Sequence, residues 1–171
     1  MLLALALLLS APVAAAPAAA APQCPIKGSP AQRFNLPLAR GGRISLTELL
    51  PKKRAAILSF WRFDCVPCVA ELPELQKLVA AWGGRVSALA IHVGGPEEKM
   101  LAFLDDQKLA LPVAIDGNPE AFSEKRYCVS ALPQLLVLDS AGKVVATLVG
   151  AQPDFARSLR AAVEPLLRPG Q

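Results

Sequence analysis

Cys65, Val66, Pro67 and Cys68 place two thiols three residues apart, directly after the apolar run of residues 55–63. If a helix begins there, residues i and i+3 share a face, close enough for a disulfide to form and break. A helix N-terminus carries partial positive charge and free N–H groups, which stabilise a thiolate. On this reading Cys65 is the exposed nucleophile and Cys68, one turn in, the shielded resolving thiol. Pro67 suits a first turn because it lacks an N–H. Half a zinc site and a static structural disulfide are the blander readings. Zinc needs a second ligand pair, and Cys24, Cys128 and His92 do not supply one at usual spacing. No metal and no organic cofactor is expected. The reactive group is the Cys65–Cys68 disulfide itself.

The neighbours of this pair bear on its chemistry. Asp64 would oppose ionisation of Cys65, unless Arg62 neutralises it or it caps the helix. His92 ends an apolar stretch and is expected at the surface or in an ordinary structural hydrogen bond. Cys24 and Cys128 complete an even count of four. They read as a pair stapling the N-terminal segment to the loop before Pro133. A free buried Cys128 beside a mobile Cys24, and a second redox relay, stay open as alternatives.

The elements that must hold these residues follow from hydrophobic pattern and turn signals. Residues 33–38 and 43–46 flank Gly41-Gly42 and predict a hairpin. Residues 47–50 make a short helical turn. The continuous apolar run 55–63 suits a strand buried on both faces. Residues 66–81 have helical spacing, with Pro73 inside as a kink and Gly83-Gly84 as the stop. Strands are predicted at 85–93, 111–115, 134–139 and 143–149. Helices are predicted at 96–108, 119–127 and 153–167. Strands alternating with helices imply a partly parallel sheet, and the last hairpin adds antiparallel strands.

The first 22 residues contain no charge, and only Ser10, Pro12, Pro17 and Pro22 among them are not hydrophobic. This reads as a secretory signal peptide, cleaved within about residues 18–22. The Leu-rich part is shorter than the ~20 residues of a membrane span, so a retained anchor is the second choice. The leader lacks the usual opening Lys or Arg. Gln23 before Cys24 argues against a lipoprotein. Residues 23–171 then form one domain, placed in the periplasm or another extracytoplasmic compartment. The +4 net charge is mild. Nucleic acid needs a denser basic surface with stacking aromatics, so no nucleic-acid partner is expected.

Several short motifs coincide. Ser29-Pro30 precedes Phe34 and Leu36. Ser59-Phe60-Trp61 precedes Cys65-x-Pro67-Cys68, and Glu71-Leu72-Pro73-Glu74-Leu75 continues the helix. Val129-Ser130-Ala131-Leu132-Pro133 is followed by Leu138-Asp139 and Gly142-Lys143-Val144-Val145. Over roughly residues 29–167 the chain resembles the TlpA/ResA group of thioredoxin-like extracytoplasmic thiol–disulfide oxidoreductases. The resemblance implies an α/β thioredoxin-like fold, a mixed central sheet flanked by helices, with an N-terminal β-hairpin extension. It implies that Pro133 is a cis-proline facing the cysteines, so that Leu132 offers its backbone to an extended substrate. It implies a functional glutamate at Glu71, which tunes the thiols and relays a proton. Thioredoxin itself carries a buried Asp where Ser59 stands here, which strengthens Glu71. Trp61 matches the motif-flanking aromatic and is taken as substrate-binding. The usual Trp immediately before the first Cys is replaced by Asp64.

The activity so implied is reduction of protein disulfides by a monomeric enzyme. Electrons would come from a membrane thiol donor of the DsbD/CcdA kind, and substrates would include apocytochrome c or copper-site assembly proteins. A thiol peroxidase is the alternative within enzymes, although Arg62 stands where such enzymes place a Thr. A metal-binding chaperone is the alternative outside them.

Overall fold

The computed structural model describes residues 24–50 and 52–168. The leader read over residues 1–22 lies outside them. The chain opens as an antiparallel hairpin of β1 (Asn35–Pro37) and β2 (Arg43–Ser45). Gly41 and Gly42 turn it, both at positive φ, where a Cβ would be strained. The single turn α1 (Leu46–Leu49) follows, begun by a capping box in which Glu48 accepts from the Ser45 N–H at 2.7 Å. Then come β3 (Ala55–Trp61), α2 (Val66–Ala81), β4 (Val86–Val93), α3 (Glu97–Asp106) and β5 (Val113–Asp116). A π-helical turn (Glu120–Glu124), β6 (Gln134–Asp139), β7 (Val144–Val149) and α4 (Phe155–Val163) complete the order, with a closing 3-10 turn (Glu164–Leu167).

The five longer strands form one mixed sheet in the order β5-β4-β3-β6-β7. β3 runs parallel to β4 and antiparallel to β6. All seven residues of β3 are buried, as expected of a run that is apolar but for Ser59. Ala55, Ile57 and Trp61 face a core built with α2, α3 and α4. Ala56, Leu58 and Phe60 face a second core, closed by Phe34, α1, Phe122 and Tyr127. Each fully buried Leu, Ile or Phe contributes roughly 1.5–3 kcal/mol, so Ile57, Leu58 and Phe60 anchor the strand that carries the site.

Two predicted helices differ. The one expected over 119–127 is a π-helical turn at Glu120–Glu124. The buried Asp116 carboxylate accepts from the N–H groups of Asn118 and Ser123, both at 3.1 Å, and from the Ser123 hydroxyl. That anchor fixes the turn's entry. The last helix stops at Val163 rather than Leu167. Pro165 has no N–H to continue the ladder, and the chain tightens into a 3-10 turn. α2 runs unbroken through Pro73.

Candidate active site

The C-terminal end of β3 and the N-terminal start of β6 lie side by side, with Phe60 opposite Gln134. β3 leads into Cys65, and β6 is entered through Pro133. This pairing brings the two motifs to one end of the two central strands. Cys65 is the N-cap of α2 in extended conformation, and its C=O accepts from the Val69 N–H at 3.1 Å. It is partly exposed, whereas Cys68 is 1% exposed. The two are joined in a disulfide with a Cα–Cα distance of 5.2 Å. Val66 between them is 77% exposed. The geometry leaves one sulfur open to attack at the positive end of a helix and one shielded behind it.

The Leu132–Pro133 peptide bond is cis. The Pro133 C=O accepts from the Gly150 N–H at 2.8 Å, which ties this loop to the end of β7. Leu132 is partly buried and packs against both cores.

Arg62 and Asp64 form a two-bonded ion pair, at 2.9 and 2.5 Å. The Arg62 guanidinium holds the Asp64 carboxyl below the usual carboxylate range. Asp64 does not cap α2. The carboxylate before the nucleophile is therefore met by a fixed cation, which opposes its effect on a Cys65 thiolate.

Glu71 is half-buried, one turn beyond Cys68. One carboxylate oxygen accepts a long hydrogen bond from the Gln152 N–H, at 3.4 Å. The other is buried and has no hydrogen-bond partner among the described residues. Burial pushes the carboxyl above its ordinary range, and the Gln152 N–H partly offsets this. Glu71 lines a cleft of about 350 Å³ with Pro67, Glu74, Gln152 and Phe155. A carboxyl in this setting holds its proton more firmly than one on an open helix face.

Two sequence expectations are corrected. Trp61 is not placed to bind substrate, because it is fully buried. Its ring lies 5.0 Å from that of His92 and 5.6 Å from that of Phe103. Its position in β3 points it to the same face as Ile57, beneath the helices. His92 is not on the surface, and its ring makes no hydrogen bond among the described residues. It is fully buried beside Trp61 in the parallel register, and Phe63 stacks on it at 6.1 Å. Neither ring nitrogen has a hydrogen-bond partner among the described residues. Burial lowers its pKa to about 4, so the imidazole is neutral at pH 7.

Cys24 and Cys128 form a second disulfide, with a Cα–Cα distance of 5.5 Å. The Tyr127 hydroxyl donates to the Gln32 C=O, and Arg126 donates to the Arg33 C=O. Three consecutive residues thus hold the N-terminal segment. Among the described residues no three His, Cys, Asp or Glu side chains are grouped to hold a metal ion. Gln152 was missed by sequence reasoning. Its only advance signal is topological, since the loop after β7 lies at the same end of the strands as Pro133.

The AhpC/TSA family model matches residues 27–147. The chain is 30% identical over 126 residues to the thiol-disulfide oxidoreductase ResA of Bacillus cereus, covering 73% of this chain and 70% of that protein. It is 30% identical over 125 residues to ResA of Bacillus subtilis, covering 72% and 68%. Among solved structures, a thiol:disulfide interchange protein DsbE from Chlorobium tepidum superposes with a TM-score of 0.71 at 25% identity, over 84% of this chain and 99% of that one. StoA from Bacillus subtilis does so with a TM-score of 0.61 at 27% identity, over 78% and 97%. With a disulfide at a helix N-terminus and a mixed sheet of this order behind it, the chain belongs to the AhpC/TSA family and, within it, to the thioredoxin-like thiol–disulfide oxidoreductases of the TlpA/ResA type.

Proposed function

We propose that the protein is an extracytoplasmic reductase of protein disulfides, with Cys65 as nucleophile and Cys68 as resolving thiol. The observation that carries this is the asymmetry of the pair: Cys65 is open at the N-cap of α2, and Cys68 is buried one turn in. In the reduced enzyme the Cys65 thiolate attacks a substrate disulfide. A mixed disulfide forms and one substrate thiolate leaves. Cys68 gives its proton toward Glu71, attacks the Cys65 sulfur and releases the second substrate thiolate. Two electrons pass to the substrate, and the enzyme is left with the Cys65–Cys68 disulfide. The extended substrate segment docks on the backbone of Leu132 beside Pro133. The apolar, uncharged leader supports export. A membrane dithiol donor of the DsbD/CcdA kind then returns two electrons, and the enzyme works as a monomer without metal or organic cofactor. Apocytochrome c is the substrate class favoured by the TlpA/ResA resemblance.

The test is trapping. Cys68→Ser holds substrates on Cys65 as mixed disulfides, and Cys65→Ser abolishes reduction of insulin disulfides. Equilibration with glutathione fixes the direction. A potential near about −270 mV supports a reductase, and one well above about −180 mV overturns it in favour of an oxidant.

A further inference from the structure

The loop after β7 joins two parts of the site that are far apart in sequence. The Gln152 side-chain amide donates to the Gly150 C=O at 2.9 Å and to the Val149 C=O at 3.3 Å. The Gly150 N–H donates to the Pro133 C=O at 2.8 Å. The Gln152 backbone N–H donates to Glu71 at 3.4 Å, across 81 residues of sequence. One three-residue turn therefore bonds the cis-proline loop on one side and the Glu71 carboxyl on the other. The turn is braced from within by one side chain, that of Gln152, folded back on its own loop.

We propose that Gln152 is a positioning residue that couples substrate docking at Leu132–Pro133 to proton handling at Glu71. The proposal rests on the exchange mechanism above, in which Glu71 serves Cys68. A substrate strand that pulls on the Pro133 loop pulls on Gly150 through its N–H. The Gln152 amide transmits that shift to the backbone N–H facing Glu71. Losing that N–H leaves the half-buried carboxylate with less compensation, so Glu71 holds its proton more firmly. Regaining it releases the proton. The other charged group lining the cleft is Glu74, on the same helix as Glu71. From the opposite wall come Ala151, Pro153 and Phe155, none of which titrates. Asp154, next along the chain, is engaged by the Arg157 N–H and guanidinium.

The experiment measures steady-state reduction of a disulfide peptide against pH in full-length wild type, Gln152→Ala, Gln152→Asn and Glu71→Gln. Circular dichroism confirms that each is folded. Gln152→Ala loses the amide bonds but keeps the backbone N–H. Its KM is expected to rise about fivefold, the factor for the shorter of the two lost hydrogen bonds alone, and the limb of the pH profile assigned to Glu71 moves to higher pH. Gln152→Asn, with an amide donor one carbon shorter, returns part of both effects. A purely structural role would lower stability without moving the pH limb. Wild-type KM and pH limb in Gln152→Ala overturn the proposal. A limb absent in Glu71→Gln but unmoved in Gln152→Ala overturns only the role of Gln152. A limb that survives Glu71→Gln overturns the role of Glu71, and the coupling with it.

Discussion

Around Cys65 the charges are arranged in compensating pairs. A carboxylate beside a sulfur nucleophile disfavours the thiolate, and Asp64 would do so alone. Its two bonds to Arg62 turn a charge into a dipole, and the positive end of α2 at Cys65 adds its own pull toward the thiolate. His92 stays out of this balance because it is buried and neutral. That neutrality has a measurable consequence. In the unfolded chain the imidazole takes up a proton near pH 6.5, whereas in the fold it does so only at about 4. The unfolded state therefore binds more protons across that window, and stability falls as the pH drops from 6.5 to about 4. The loss amounts to about 3 kcal/mol at most, since one pKa unit is about 1.4 kcal/mol. Urea unfolding of wild type and His92→Leu between pH 7 and pH 4 checks this. The variant loses the part of the acid slope that belongs to the imidazole. Equal slopes in the two proteins would show that His92 does not carry it.

At the scale of elements, the parts that position the cysteines are those most legible in the sequence. β3 is apolar but for Ser59, and α2 follows its N-cap Cys65 and ends before Gly83-Gly84, so its bounds of 66–81 could be read directly. What escaped depends on contacts distant in sequence. The same double burial that marks β3 as a strand hides which face each side chain takes, so nothing local shows that Trp61 points beneath the helices. Asp116 ties down the entry to the π-helical turn Glu120–Glu124 through hydrogen bonds that no helical period records. Gln152 meets Glu71, 81 residues away in sequence, because β3 and β7 end on the same side of the sheet. The β6–β7 turn was legible for the opposite reason, because its requirement is local. Gly142 has a φ of +78°, and a Cβ there would stand 3.1 Å from the Leu50 side chain. Gly142→Ala is expected to cost about 1–2 kcal/mol for the left-handed backbone, read as a lower urea midpoint. The turn lies at the opposite end of β6 from Pro133, so insulin reduction per folded molecule stays at the wild-type level. A loss of specific activity would mean that the far end of the sheet feeds into the site.

The whole molecule is a sheet with well-covered faces and an N-terminal segment laid against it. That segment is held by several small devices rather than by a core of its own. The Gly28 N–H donates to the Val144 C=O at 2.7 Å, and the Ala31 N–H donates to the Gly142 C=O at 2.8 Å. Phe34 enters the second core edge-on to Phe122. The Cys24–Cys128 disulfide closes a sequence separation of 104 residues, a loop that holds β1 to β5 with Cys65 and Cys68 and leaves β6, β7 and α4 outside it. Closing so long a loop removes much of the freedom of the unfolded chain, a contribution of about 2–5 kcal/mol in the chain-entropy account. The same tie fixes Cys128, five residues ahead of Pro133, in a left-handed conformation with φ of +53°, a small opposing cost. Cys24→Ser/Cys128→Ser is therefore expected to unfold at lower urea, by about 2–4 kcal/mol. The Cys65–Cys68 pair, held by α2 and β3, keeps its capacity to exchange. Paired measurements of the urea midpoint and of insulin reduction by the folded fraction test both halves. A double variant as stable as wild type would remove the disulfide from the stability of the fold. A stable variant with slowed exchange would instead make the second disulfide part of the machinery around Pro133.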